Sequence, residues 1–197
     1  MSRQHGQSLA ELLCVVAILG ILAAFALPAW SRALERALLC DATARIEELL
    51  AVTREEAIAL DHQRGVKFRR SGDRWTFAVY DDGDGDGIRN DDIDSGVDPL
   101  VHGPEPLLFC PSAIAAGIPP GGLPDPDGGT RLTESNAPVQ FNNSTICSFS
   151  RDGSATPGTV YLHARGGDAA CIRSSGEGGA LRVFFCRHGA ASWSMSP

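Results

Sequence analysis

The chain has 197 residues, a formal net charge of −7 and six cysteines. Its 24 acidic residues outnumber 17 basic ones, which argues against generic nucleic-acid binding, a function that favours cationic surfaces. The length fits one apolar anchor and one modest globular head.

The first predicted element is a membrane helix. Arg3 and His5 open the chain, Gly6 follows, and the run GQSLAELLCVVAILGILAAFALPAW extends from Gly6 to Trp30. Leu12 to Trp30 carries no charged side chain and as a helix covers about 28 Å, enough to cross the hydrocarbon core of a bilayer. Glu11 stands at the mouth of this run. A carboxylate costs on the order of 2–3 kcal/mol near the centre of such a helix and less at the interface, so a residue kept there suggests a task. A secretory signal peptide would place its small-residue cleavage site after the apolar core; here Gly6 precedes it. The basic start predicts a cytoplasmic N-terminus, a single pass and a body on the outer side of the membrane.

These residues resemble the class III leader of type IV prepilins and type II secretion pseudopilins. The resemblance implies that a dedicated membrane prepilin peptidase cuts between Gly6 and Gln7 and that the new N-terminus is methylated. Gln7 then becomes the first mature residue and Glu11 the fifth, the hallmark acid of those proteins, and Pro28 falls where they commonly carry a helix-kinking proline. One departure is Gln7 in place of the usual Phe. Residues 1–6 are therefore read as leader and 7–30 as transmembrane helix. In a staggered bundle of subunits, Glu11 of one copy can meet the free amino terminus of its neighbour. Loss of one partner from such a desolvated pair costs roughly 3–5 kcal/mol.

The helix is predicted to continue as an amphipathic half over 31–62, rich in Ala, Leu, Glu and Arg. Leu34, Leu38, Ala42, Ile46, Leu49, Leu50, Ala57 and Leu60 form an apolar stripe at three- and four-residue steps. Arg45, Glu47, Glu48, Arg54 and Glu55 occupy the other face. From residue 63 to 197 the texture is that of a β-rich head. VKFRR and RWTFAVY, separated by SGD, read as a hairpin.

An acidic loop, DDGDGDGIRNDDIDSGVD, comes next. Asp82, Asp84 and Asp86 followed by Gly87 match the opening of a calcium loop, with the Ile88 carbonyl as a further ligand. The position of the closing bidentate acid holds Ile93, so Asp91, Asp92 or Asp94 would have to substitute. Two readings stand: a weak Ca²⁺ site in the range of about 10⁻⁴–10⁻³ M, or a solvated acidic turn.

Further strands are predicted at PLLFC, PVQFN, TICSFS, GTVYLHA, AACIRSS and LRVFFCR, with a long Pro- and Gly-rich loop from Ser112 to Asn136. The expected fold is α+β: a long N-terminal helix packed on an antiparallel β-sheet head. Cys14 lies in the membrane helix and Cys40 on its continuation; Cys110, Cys147, Cys171 and Cys186 fall in the head, where an oxidising compartment permits disulfides. Folding AACIRSS onto ALRVFFC about GEGG brings Cys171 nearly opposite Cys186, and Cys110 with Cys147 is then the remaining pair. Free buried thiols are the alternative.

Within the head, FSRDGSATPGTVYL (Phe149 to Leu162) and the hairpin GEGGALRVFF resemble the C-terminal half of GspH/FimT-type minor pseudopilins. The resemblance implies a subunit of a type II secretion pseudopilus, with other pseudopilins as partners. The alternatives are a minor pilin of a type IV pilus, serving assembly, adhesion or DNA uptake, and an anchored periplasmic domain that never polymerises. DNA-binding relatives of that branch carry G-R-x-R, whereas the equivalent residues here are Gly179, Ala180, Leu181 and Arg182. Arg173, Arg182 and Arg187 could form a small basic patch, but the acidic head makes nucleic acid an unfavourable partner. His62, His102, His163 and His188 lack metal spacing and there is no G-x-S-x-G elbow, so no enzymatic activity is expected.

Overall fold

A computed structural model describes residues 9–72, 74–108 and 110–195. The chain divides into two units, 1–34 and 35–197. The longest element is the helix α1, Leu9–Ala59, with Pro28 inside it. In the first unit every described side chain is exposed, from Leu9 through Leu34.

In the second unit α1 buries Leu39, Thr43, Ile46, Leu50, Thr53 and Ala57. Their steps of four and three residues place them on one helix face. This seam corrects the expected stripe: Leu34 and Leu60 are exposed, while Leu38, Ala42 and Leu49 only flank the core. Thr43 and Thr53 fit the seam because each hydroxyl donates to the carbonyl one turn back, Leu39 and Leu49, at 2.7 Å in both cases. With the hydroxyl satisfied, the threonine presents its methyl to the core. The helix closes on a Schellman motif: the His62 amide donates to Ala57 and the Asp61 amide to Ile58, with Asp61 at φ 53°.

The head contains two antiparallel sheets. The strands in chain order are β1 (Arg64–Ser71), β2 (Arg74–Asp81), β3 (Leu100–Pro106), β4 (Ile114–Ala116), β5 (Val139–Phe141), β6 (Ile146–Phe149), β7 (Gly158–Ala164), β8 (Ala169–Ser174) and β9 (Leu181–Cys186), with a short helix α2 (Asn90–Ser95) between β2 and β3. The first sheet has the order β3-β2-β1-β6 and the second β4-β7-β8-β9, with β5 also paired to β7. The expected β1–β2 hairpin is present, closing at Ser71 and Arg74. Of the expected strand PLLFC only Pro106 lies in a sheet among the described residues, as the end of LVHGPEP, and Leu107 instead plugs the core; Phe109 lies outside the described residues. The segment expected as one long loop contains β4 and a bridge between Leu123 and Leu132.

Alternation along the strands builds the core. Val66 and Phe68 of β1, Val160 and Leu162 of β7, and Ile172 of β8 join the α1 seam in one cluster. Each such fully buried side chain contributes about 1.5–3 kcal/mol. Phe68 and Phe141 stack at 5.9 Å across the two sheets. Gly158 allows β5 to approach β7: a Cβ there would lie 2.3 Å from the Phe141 ring. Tyr161, pointing to the opposite side of β7, joins Cys171, Cys186, Ile118 and Leu123 in a second, smaller cluster. The Trp193 indole donates to the Pro124 carbonyl at 2.7 Å and holds the long segment over that cluster.

Candidate functional site

Three features bear on function: the apolar start of α1, the acidic loop and the cysteine–arginine face of the second sheet.

The apolar start is helical because it consists mainly of Leu, Ala, Val and Ile, with Gly20 and Pro28 as its only breakers. Pro28 has no N–H to donate to the preceding turn, and the Ser31 hydroxyl donates to the Pro28 carbonyl at 3.0 Å. The helix is long and apolar enough to cross a membrane, and none of its most apolar window is buried. Glu11 lies in the first turn and is exposed. Gly6 and Gln7, the expected cleavage pair, lie outside the described residues.

The acidic loop is pinned to the outer face of the first sheet. Ile88 is buried and reaches Gly65 of β1, where a Cβ would come within 3.0 Å of it. Asp94 on α2 faces Lys67 at 3.8 Å and Arg69 at 3.4 Å. Burial, reinforced by the charge of Arg69, lowers the Lys67 pKa, and Asp94 opposes this. Asp98, only 1 % exposed, organises the interior of the loop. Its two oxygens accept the Gly83 and Arg89 amides, each at 3.1 Å. Sequence reading passed over Asp98 because it lies outside the D-x-D-x-D spacing.

Asp82, Asp84 and Asp86 do converge, each offering an oxygen within 4.8 Å of the others. Gly87 turns the chain at φ 100°, and Asp82 accepts the Gly85 amide at 2.7 Å and the Gly87 amide at 3.0 Å. Asp91 and Asp92 lie in the first turn of α2 and are not among the three that converge, although Asp92 is near enough to act on Asp86 by charge. The Asp86 carboxyl is raised by desolvation and by its neighbours Asp84 and Asp92, against the Arg89 guanidinium that bonds it. Asp92 is raised by desolvation, Asp84 and Asp98. A divalent cation at the three converged carboxylates would relieve this repulsion, but Arg89 already supplies part of that charge.

The cysteines do not pair as expected, and all six are free thiols. Ser174 lies opposite Leu181, so Cys171 faces Phe184 and Cys186 faces Ala169. The expected register was off by two residues, and the two thiols are diagonal neighbours. Such positions are about 7–8 Å apart, at or beyond the roughly 7 Å limit for bridging without backbone movement. Cys110 is exposed ahead of β4, whereas Cys147 is wholly buried in β6. Burial pushes the Cys171 thiol up to about 12 and also raises Cys147 and Cys186, which makes all three poor nucleophiles.

Arg173 and Arg182 are cross-strand partners, but Arg173 is neutralised by Asp127 at 2.5 Å. Arg54 has a more structural task, which sequence reading assigned to the solvent face. Its guanidinium donates to the carbonyls of Gly153 and Gly178, both at 2.9 Å. It thereby fastens the SRDGS turn and the GEGG turn to α1.

Residues 1–27 match the family model described as the prokaryotic N-terminal methylation motif. No curated protein and no solved structure matches the chain. The match supports a leader of the type IV pilin and pseudopilin class, with processing by a prepilin peptidase and assembly with other pilins.

Proposed function

We propose that the chain is a minor pseudopilin of a type II secretion system, anchored by α1 in the inner membrane with its head in the periplasm. The observation that carries this reading is the methylation motif over residues 1–27, continued by an exposed apolar helix with Glu11 in its first turn. Its role is mechanical and not catalytic. Hydrolysis of the Gly6–Gln7 amide consumes one water and leaves a carboxylate on Gly6 and an amine on Gln7. A sulfonium donor then passes a methyl group to that nitrogen, releasing a thioether and a proton. Glu11 of one subunit pairs with this amine on the next and sets the axial register.

The likeness of Phe149 to Leu162 and the GEGG hairpin to GspH/FimT-type subunits supports that branch in either machine; the choice of secretion over DNA uptake rests on Ala180 in place of the first arginine of G-R-x-R and on the net charge of −7. N-terminal sequencing of protein made with and without the prepilin peptidase tests the processing: the expected result is a start at Gln7 only when the peptidase is present, and a start at Met1 in both would overturn it. Deletion of the gene then separates the two machines. Loss of protein secretion with intact pili supports the proposal; loss of pili, adhesion or DNA uptake with intact secretion assigns the chain to a type IV pilus.

We also propose that Asp82, Asp84 and Asp86 hold Ca²⁺ weakly. For a site of about 10⁻⁴–10⁻³ M in about 10 mM calcium, linkage gives a stabilisation of about 1.4–2.7 kcal/mol. Calcium should therefore raise the melting temperature of the full chain in detergent, and Asp84→Ala should abolish the gain. Equal melting curves in calcium and in chelator would refute the site.

A further inference from the structure

A groove of about 530 Å³ opens between α1 and the first sheet, within the second unit. This is the size of a ligand site rather than of a packing defect. Its floor is apolar, built from Ile46 and Leu49 of α1 and from Phe77, Val79 and Leu107. Val52 of α1 and Val101 of β3 form its two lips, and they remain 45 % and 44 % exposed. Apolar side chains open on both sides of the cavity would gain free energy if a partner buried them together with the floor.

The rim sets the chemistry of what covers it. Glu48, Glu56 and Glu105 stand there against a single arginine, Arg45, and His102. Arg45 is itself engaged by Asp41 at 2.9 Å, and His102 faces Glu105 at 3.3 Å. Glu56 is partly neutralised by Arg64 at 2.6 Å. The balance is anionic, and it attracts a cationic partner while repelling acidic lipid headgroups. A second copy of this chain, with a net charge of −7, is disfavoured for the same reason.

The shape selects a helix over a strand. β3 is the edge of its sheet, but it carries Pro104 and Pro106, which have no N–H to give an added strand. The α1 side of the groove runs from Arg45 to Glu56, about 16 Å or three helical turns. We propose that this groove docks an amphipathic helix of a partner protein, with an apolar stripe at i, i+3, i+4 and i+7 flanked by lysine or arginine. The proposal goes beyond the assembly role and does not depend on it, because the groove uses no residue of the first unit.

The test uses the full chain in phosphatidylcholine nanodiscs and a fluorescent synthetic helical peptide with a leucine stripe and lysine flanks, read by anisotropy against empty nanodiscs. The expected result is saturable binding, at least about tenfold tighter than for the same peptide with glutamate flanks, with the gap narrowing at about 0.5 M salt. Val101→Arg should weaken binding about tenfold or more with an unchanged melting curve, because a side chain this exposed tolerates the change. Val52→Arg, at the other lip, provides the same check if the first variant does not fold. Glu48→Lys combined with Glu105→Lys should reverse the preference toward the glutamate-flanked peptide. Equal affinity for both peptides, or binding unaffected by either lip variant, would overturn the proposal. So would self-association that Val101→Arg abolishes, which would give the groove to a second copy.

Discussion

The two stretches of α1 on either side of Leu34 share one secondary structure and differ in what satisfies their side chains. From Leu9 to Leu34 the apolar residues run all round the helix and are exposed. From Glu35 to Ala59 most of them gather in a seam that the head's own sheets cover, with Val52 and Ile58 left exposed beside it. A helix that is apolar on all sides requires a surrounding medium, whether lipid or other helices; a helix with one apolar stripe requires only one partner layer. The first stretch therefore carries information about assembly, and the second about the stability of the head.

The sharpest way to break this contrast is Glu11→Gln. If the first stretch serves assembly, the variant should be lost from sheared filaments almost entirely, while the full chain in detergent melts as wild type does. Filament incorporation at the normal level would remove the assembly role of Glu11. The converse change is Leu50→Ala, in the seam. It should destabilise the head by about 2–5 kcal/mol, measured by chemical denaturation, whereas Leu19→Ala in the exposed stretch should leave the same curve unmoved. Equal effects would mean that the two stretches do not differ as described.

The next effect concerns how the second stretch is tied to the sheet. Arg64, nearly buried, donates to both oxygens of Asp81, at 2.5 and 2.9 Å, and to Glu56 of α1 at 2.6 Å. Burial works to raise the Asp81 carboxyl, but the hydrogen bonds from Arg64 and His62 outweigh it and the group is held below its usual range. The hydrogen bond to Asp81 is also the main reason that the Arg64 pKa is raised. A depressed carboxylate contributes stability above its unfolded value, near 4, and loses it as pH falls through the folded value. Asp81→Asn should cost about 1.5–3 kcal/mol at neutral pH, and its difference from wild type should shrink below about pH 4. A difference independent of pH would show that the pair contributes packing and not charge.

The sequence showed these parts unequally, for physical reasons. The methylation motif over residues 1–27 and the apolar run behind it were legible because a long stretch without charge stands out from the rest of a small chain. The β1–β2 hairpin and β7 to β9 were legible from β-branched and aromatic alternation. β3 was hidden because LVHGPEP carries two prolines, which a strand tolerates only at an edge. Thr43 and Thr53 were hidden because their polarity is cancelled by bonds to their own helix. The division into two sheets, the two-residue error at Cys171 and Cys186, and the buried carboxylate of Asp98 all depend on register and on long-range closure, to which local pattern is blind. Arg54 looked like a solvated charge until the two glycine turns it fastens came to it from distant sequence.

The smallest effect tests where the second stretch ends. Asp61 occupies the C′ position of the Schellman motif with φ 53°, a conformation that costs a non-glycine residue about 1–2 kcal/mol. Glycine would remove that cost but loses more backbone entropy on folding, roughly 0.5–1 kcal/mol. The side chain of Asp61 is exposed, so little packing is lost with it. Asp61→Gly should therefore stabilise the chain by up to about 1 kcal/mol, seen as a higher denaturation midpoint at an unchanged slope. A lower midpoint would mean that the aspartate stabilises this turn by more than its strained backbone costs. The turn hands the chain from the α1 seam to Arg64, so in that case the register of β1 against the helix would depend on the Asp61 side chain as well as on the backbone.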